Sequence, residues 1–144
     1  MKTYIPKVDP ATKKWWVIDL DDAILGRSAV KVSNILRGKN KPIFTPHMDT
    51  GDHVVVVNAS GVKVKGKNKP DQLKYYSYSG YPGGLRIRSF AEMISKKPEE
   101  VFRMAVRRML PKNRLGRKML KKLHIYAGSE HPHIAQQPEQ LEIK

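Results

Sequence analysis

Four consecutive valines, Val54 to Val57, constrain the fold of this chain more than any other feature in it. A strand with one wet face alternates apolar and polar residues. An unbroken β-branched run instead needs apolar cover on both faces, the situation of an inner strand of a parallel sheet. A parallel neighbour has to be reached by a crossover, and the residues upstream supply one. Trp15, Trp16, Val17 and Ile18 form a short apolar strand that ends at Asp19. Asp21 and Asp22 stand where a helix N-cap belongs. Leu25, Ala29, Val32 and Leu36 then share one helical face, with Arg27, Lys31 and Asn34 opposite and Gly38 at the C-terminal cap. Strand, helix and buried strand predict a right-handed βαβ unit.

Downstream, Lys74 to Ser79 reads as a tyrosine-rich strand closed by the turn Gly80 to Gly84. Ser89 and Glu92 have capping-box spacing and open a short helix. Pro98 suits the first turn of the next, with Glu99 and Glu100 at its positive end. On that helix Val101, Phe102, Ala105, Val106 and Met109 point inward, Arg103 and Arg107 outward, and Pro111 stops it. A further helix turns Leu115, Met119 and Leu123 inward and Arg114, Lys118 and Lys121 outward, before a last strand at Leu123 to Tyr126. With 144 residues, 40% of them hydrophobic, the expectation is a single domain over 1–144, with an N-terminal arm at 1–12 and an extended tail at 130–144. The class is α/β.

Charge narrows the function. Between Val101 and Gly128 there are nine Lys or Arg and no Asp or Glu. The cations alternate with apolar residues at helical spacing, so they belong to a folded surface rather than a tail. Runs of Lys and Arg are usually a solvated face, but solvation is better served by mixed signs. The whole chain carries 28 basic against 13 acidic residues, a net charge of +15, and such a surface repels itself unless a polyanion neutralises it. Nucleic acid is the first candidate. No apolar run approaches the roughly 20 residues of a membrane span, and both tryptophans lie away from the basic helices. The first residues lack the apolar stretch of a signal peptide. Without cysteine there is no disulfide, thiol nucleophile or Cys-ligated metal, which suits a reducing cytosol.

Several motifs imitate other chemistries. Gly61 to Asn68 nearly matches the phosphate loop G-x-x-x-x-G-K-[ST] and follows a valine strand, and Trp15 to Asp19 resembles a strand ending in a magnesium-binding Asp. However, Asn68 replaces the metal-holding hydroxyl, Pro70 removes an N–H from the helix start that cradles phosphate, and Val62 to Lys65 alternate like a strand. Glu130, His131 and His133 have no evident third or fourth partner for a metal, so a surface turn is the expected reading. Tyr76 and Tyr78 share a strand face that is open to base stacking, though core packing is the favoured use. Nothing in the pattern asks for catalysis, a cofactor or a small-molecule substrate. The alternatives from other classes are a nucleotide-hydrolysing enzyme and a free DNA-binding protein. Extended arms and the lack of a recognition-helix signature disfavour the second.

Met109-Leu-Pro-Lys-Asn-Arg-Leu-Gly-Arg117 and Leu123-His-Ile-Tyr-Ala-Gly-Ser-Glu-His-Pro-His133 resemble the signature region of the large-subunit ribosomal protein L-thirteen family. The resemblance extends to Trp16 to Asp19, Leu25 to Arg27, Ile35 to Lys39, Thr50 to Asp52, Asn58 to Ser60, Tyr81 to Gly84 and Ala135 to Pro138, and the tail is similar to the bacterial branch. It implies a three-layer α/β/α fold around a four-stranded, mainly parallel sheet, with basic loops and extended termini. It further implies a structural role in the large subunit of the cytoplasmic bacterial ribosome, with 23S-type ribosomal RNA and neighbouring ribosomal proteins as partners, and a part in early assembly. One departure stands out: members often carry Lys-Gly before Met-Leu-Pro, where this chain has Arg107-Arg108. The RNA contacts expected on this reading are Lys63, Lys65, Lys67 and Lys69 in the loop, Arg86 and Arg88 after the glycine turn, and Arg107, Arg108, Lys112, Arg114, Arg117, Lys118, Lys121 and Lys122, with Arg27 and Lys31 as lesser contributors. Gly83, Gly84 and Gly116 are expected to allow close approach or positive φ.

Overall fold

A computed structural model describes residues 5–7, 12–66 and 69–142. In chain order its elements are β1 (Trp15–Asp19), α1 (Leu25–Arg37), β2 (His53–Val57), α2 (Lys69–Gln72), β3 (Lys74–Tyr78), β4 (Leu85–Ser89), α3 (Phe90–Lys96), α4 (Pro98–Met109), α5 (Arg114–Leu120), β5 (Leu123–Ile125) and β6 (Glu139–Gln140). Four strands form a parallel sheet in the order β5-β2-β1-β6. With its helices it gives the expected α/β fold, consistent with a three-layer α/β/α arrangement. β2 is flanked on both edges, and Val54, Val55 and Val56 are fully buried, as an unbroken valine run demands. The stretch expected as an extended tail supplies β6, and the Leu141 N–H continues the pairing by donating to the Val17 carbonyl at 2.8 Å. The N-terminal arm lies largely outside the described residues.

Pairing register sorts the sheet into two faces. Trp16, Ile18, Val54, Val56, Leu123 and Ile125 share one, where they meet Ala29, Val32 and Leu36 of α1, Val101, Phe102 and Val106 of α4, and Met119 of α5. Each such large side chain contributes about 1.5–3 kcal/mol of transfer free energy when fully buried. The other face presents an aromatic row. Trp15 stacks on His53 with centroids 4.3 Å apart, and His124 and His133 extend the row.

Local chemistry departs from expectation at two helix ends. Asp21 and Asp22 do not cap α1, whose N-cap is Ile24. The chain turns tightly after β1, with Asp22 at φ 56°, and the Asp21 N–H is taken by the Asp19 carboxylate. The Lys63 carbonyl accepts the Leu25 N–H at 2.9 Å, doing from outside what a capping side chain would do. At the other end α5 stops at Leu120, so Leu123 points inward from β5 rather than from the helix. Elsewhere the signals hold. Gly38 caps α1 at φ 78°, Ser89 Oγ accepts the Glu92 N–H, and Pro98 opens α4. Arg108 lies inside α4, so the glycine often found at that place is not required here.

Two aspartates tie the segment before β2 to the rest of the fold. Buried Asp52 accepts from the Lys14 N–H at 3.0 Å, from Trp16 Nε1 at 3.2 Å and from Lys41 Nζ. Asp49 receives Lys13 Nζ at 3.1 Å and Lys122 Nζ. Lys122 also donates to the Leu36 carbonyl at 3.1 Å. This corrects the reading of Lys122 as an outward RNA contact: it is 5% exposed and serves as an internal cation. Burial pushes its pKa below the ordinary lysine value, with Asp49 opposing the shift. Burial pushes Asp49 up, but the hydrogen bonds and charges of Lys122 and Lys13 outweigh it and hold the carboxyl below its usual range.

β3 and β4 form a separate antiparallel hairpin. Tyr76 faces Ile87 and Tyr78 faces Leu85 on one side, while Tyr75 pairs with Arg88 and Ser77 with Arg86 on the other. Only the Tyr75 side reaches the core. The core reading of Tyr76 and Tyr78 is therefore corrected: they are 65% and 66% exposed, because the hairpin is not part of the main sheet.

Candidate nucleic-acid interface

The tight joint between α4 and α5 builds the site. Asn113 caps α5 by accepting the Gly116 N–H at 2.7 Å, and the Gly116 Cα packs so closely on the Pro111 carbonyl that a Cβ would collide with it. This brings the last turn of α4 against α5 and gathers cations that are distant along either helix. Arg103, Arg107 and Arg108 stand exposed on α4, Lys112 and Arg114 at the joint, and Arg117, Lys118 and Lys121 on or just after α5. Among the described residues none of these eight enters an ion pair, whereas Lys13, Lys14, Lys41, Lys63, Lys96, Lys97 and Lys122 each do. The cause is in the sequence, since no acid lies within this stretch.

An open cleft of about 500 Å³ lies between the two helices. Met104, Leu110, Pro111 and Leu120 give it apolar walls, and Arg107, Arg108, Lys112 and Arg117 also line it. A second hollow continues from it past Arg103 and Lys121 to His124. Arg103, which was not among the site residues singled out from sequence, lines this hollow, and its i, i+4 spacing to Arg107 on the outward face was the available signal.

The hairpin extends the basic surface. Tyr75 sits near Arg108; burial raises its hydroxyl pKa, and the arginine's charge partly offsets that. Arg88 and Arg86 lie on the same hairpin face as Tyr75 and Ser77, Arg86 exposed and Arg88 half-buried with Nη1 3.9 Å from the Met93 sulfur. Lys65 and Lys69 are exposed. Exposed Lys63 is paired with Asp22 beside the start of α1, and that hydrogen bond raises its pKa. Arg27 and Lys31 are exposed on α1, outside the α4–α5 cleft. Lys67 lies outside the described residues.

The imitation motifs resolve into structural uses. Residues 59–61 form a 3₁₀ turn, Val62 is buried and Lys63 bridges Ile24, so the segment is strand-like where a phosphate loop would form a nest. The helix that follows is only four residues long. Asp19 is engaged by the Asp21 N–H and by Asn58 Nδ2 at 2.9 Å. His133 Nε2 lies 2.8 Å from the Tyr126 hydroxyl and its ring packs on His124, a packing role.

Comparison with known proteins agrees with this geometry. Residues 13–132 match the family described as Ribosomal protein L13. The large ribosomal subunit protein uL13 of Maridesulfovibrio salexigens is 57% identical over 99% of this chain and 100% of its own length. Those of Aquifex aeolicus and Rubrobacter xylanophilus are 55% and 54% identical over 100% of this chain and 99% and 100% of theirs. A family match across most of the chain, coinciding with the basic α4–α5 joint, leaves one conclusion: the chain belongs to the ribosomal protein L13 family.

Proposed function

We propose that this protein is a structural constituent of the large ribosomal subunit in the bacterial cytoplasm, that it binds large-subunit ribosomal RNA, and that it supports early subunit assembly beside other large-subunit proteins. One observation supports this reading above the rest. Eight exposed cations stand on the α4–α5 joint of a rigid core, and none is neutralised by a carboxylate among the described residues. Arginine offers phosphate a bidentate fork and lysine a point charge. The role is adhesive: the folded core holds the cations in a fixed array, and RNA segments that fit the array are held in their folded arrangement. The contacts proposed are Arg107, Arg108, Lys112, Arg114, Arg117, Lys118 and Lys121, joined by Arg103, with Arg86, Arg88, Lys63, Lys65, Lys67 and Lys69 flanking them and Arg27 and Lys31 contributing less. Lys122 is omitted.

The test is binding of a large-subunit RNA fragment across a salt series. Replacing Arg117 and Lys118 together by Gln is expected to leave the thermal melt of the free protein unchanged. The slope of log affinity against log salt should flatten by about 0.7–0.9 for each phosphate that the variant no longer neutralises. An unchanged slope would mean that this face is merely solvated. In cell extracts the protein should sediment with the large subunit and leave it only at stripping salt. Most copies running free or with chromosomal DNA would refute the ribosomal assignment.

A further inference from the structure

The cleft between α4 and α5 combines two features that a surface for A-form backbone alone does not need. Backbone phosphates are met by exposed side chains on a convex or flat surface, and Arg114, Lys118 and Lys121 suffice for that. Here the wall is apolar instead, made of Met104, Leu110, Pro111 and Leu120, and it is recessed by the close approach of Gly116 to Pro111. Four cations that enter no ion pair among the described residues share its lining. A purely apolar ligand would leave the cations unanswered, and a bare phosphate would leave the apolar wall wet. A nucleotide satisfies both, because its base is a flat apolar plate and its phosphate an anion. The volume of about 500 Å³ falls within the range of about 300–1,000 Å³ typical of small-ligand pockets. Guanidinium planes such as those of Arg107, Arg108 and Arg117 also stack on unpaired bases.

We propose that this cleft receives one unstacked nucleotide of a bound RNA strand, its base against Met104 and Leu120 and its phosphates on Arg107, Arg108, Lys112 and Arg117. The proposal rests on the RNA-binding reading and deepens it. It assigns the joint a preference for a bulged or flipped nucleotide over continuous duplex. The surrounding cations then supply the sequence-independent attachment, and the cleft supplies selection of RNA shape.

The probe is a pair of short RNA hairpins, one fully paired and one carrying a single bulged 2-aminopurine, titrated with the full-length protein. The wild type is expected to bind the bulged hairpin about tenfold more tightly, a difference of about 1.4 kcal/mol, with a change in 2-aminopurine emission as the base leaves water. Met104→Trp fills the cleft and should abolish the preference while leaving affinity for the paired hairpin within about twofold. A thermal melt establishes that this variant is folded. If it is not, Arg108→Gln on the exposed rim serves instead, and should weaken the bulged hairpin more than the paired one. Equal affinity of the wild type for both hairpins, or a preference that survives in the folded cleft variant, overturns the nucleotide pocket and leaves RNA binding intact. Failure to bind either hairpin at low salt overturns both.

Discussion

Removing the Asp49 carboxylate tests whether Lys122 is structural. In the folded protein Lys122 Nζ has two partners, the Asp49 carboxylate and the Leu36 carbonyl. Asp49→Ala leaves the cation buried with only the carbonyl. Breaking a buried pair from one side typically costs about 3–5 kcal/mol. Two features lower the figure here: the Asp49 side chain keeps 19% of its exposure, so water can reach the vacated place, and Leu36 still accepts a hydrogen bond. The expected loss is about 2–3 kcal/mol, or about 4–12 °C in Tm at 2–4 °C per kcal/mol for a domain near this size. Lys122→Met should cost no more, about 1–2 kcal/mol, because the stem's packing is kept, Asp49 retains Lys13, and the loss is two hydrogen bonds, to Asp49 and to the Leu36 carbonyl, with no cation left buried. The double variant should be less destabilised than the sum of the two. Urea unfolding followed by the fluorescence of Trp15 and Trp16 measures all four proteins. The discriminating readout is RNA binding: Lys122→Met should keep the wild-type salt slope, unlike Arg117→Gln. A loss below about 0.5 kcal/mol for Asp49→Ala, or a flattened slope for Lys122→Met, would refute the assignment of Lys122 to the interior.

Met119→Asp should unfold or loosen the domain, because the side chain is 2% exposed within the core and a carboxylate there has no partner; a cooperative melt near that of the wild type would contradict this. Stability should also fall with acid. Burial first, then the charges of Lys122 and Lys13, hold His53 below the ordinary histidine value, and burial with His133 and Arg103 does the same for His124. The unfolded chain takes up these protons near pH 6.5 while the folded one resists them, so stability drops as pH falls from about 6.5 toward the folded values. Asp49, with its lowered pKa, continues the loss below about pH 4. Thermal melts between pH 7.5 and 5 measure the first window, and His53→Gln should flatten it; a Tm that does not respond to pH would contradict the histidine account.

The elements legible in the sequence were those whose signals are local. The valine run gave an inner strand because burial on both faces leaves no other use for four β-branched residues in a row. Ser89, Pro98 and Gly38 marked helix ends because each acts on backbone groups within a few residues. The misreadings came where a distant segment supplied what the local pattern was expected to supply. The Lys63 carbonyl, from across the fold, meets the first N–H of α1, which released Asp21 and Asp22 for the turn. Tyr76 and Tyr78 have the spacing of a core strand. Whether that face is covered depends on which sheet the strand joins, and alternation carries no information about partners.

Lys121 and Lys122 show the same limit at the proposed interface. They are adjacent, identical in type and equally plausible as phosphate contacts, yet one is exposed and the other buried. The difference is made by Asp49, 73 residues earlier in the chain. Within a stretch that contains no acid, a lysine can be neutralised only by a carboxylate from outside the stretch or by a ligand. The fold brings Asp49 to one lysine at the start of β5, where the chain passes into the sheet and the side chain has to turn inward. No carboxylate among the described residues reaches the eight cations on α4, α5 and the joint between them. Their self-repulsion is therefore a standing cost of the free protein that a bound polyanion would relieve. Internal pairing of Lys122 and external exposure of Lys121 follow from one rule, that each cation is answered by whatever negative charge the fold places within its reach.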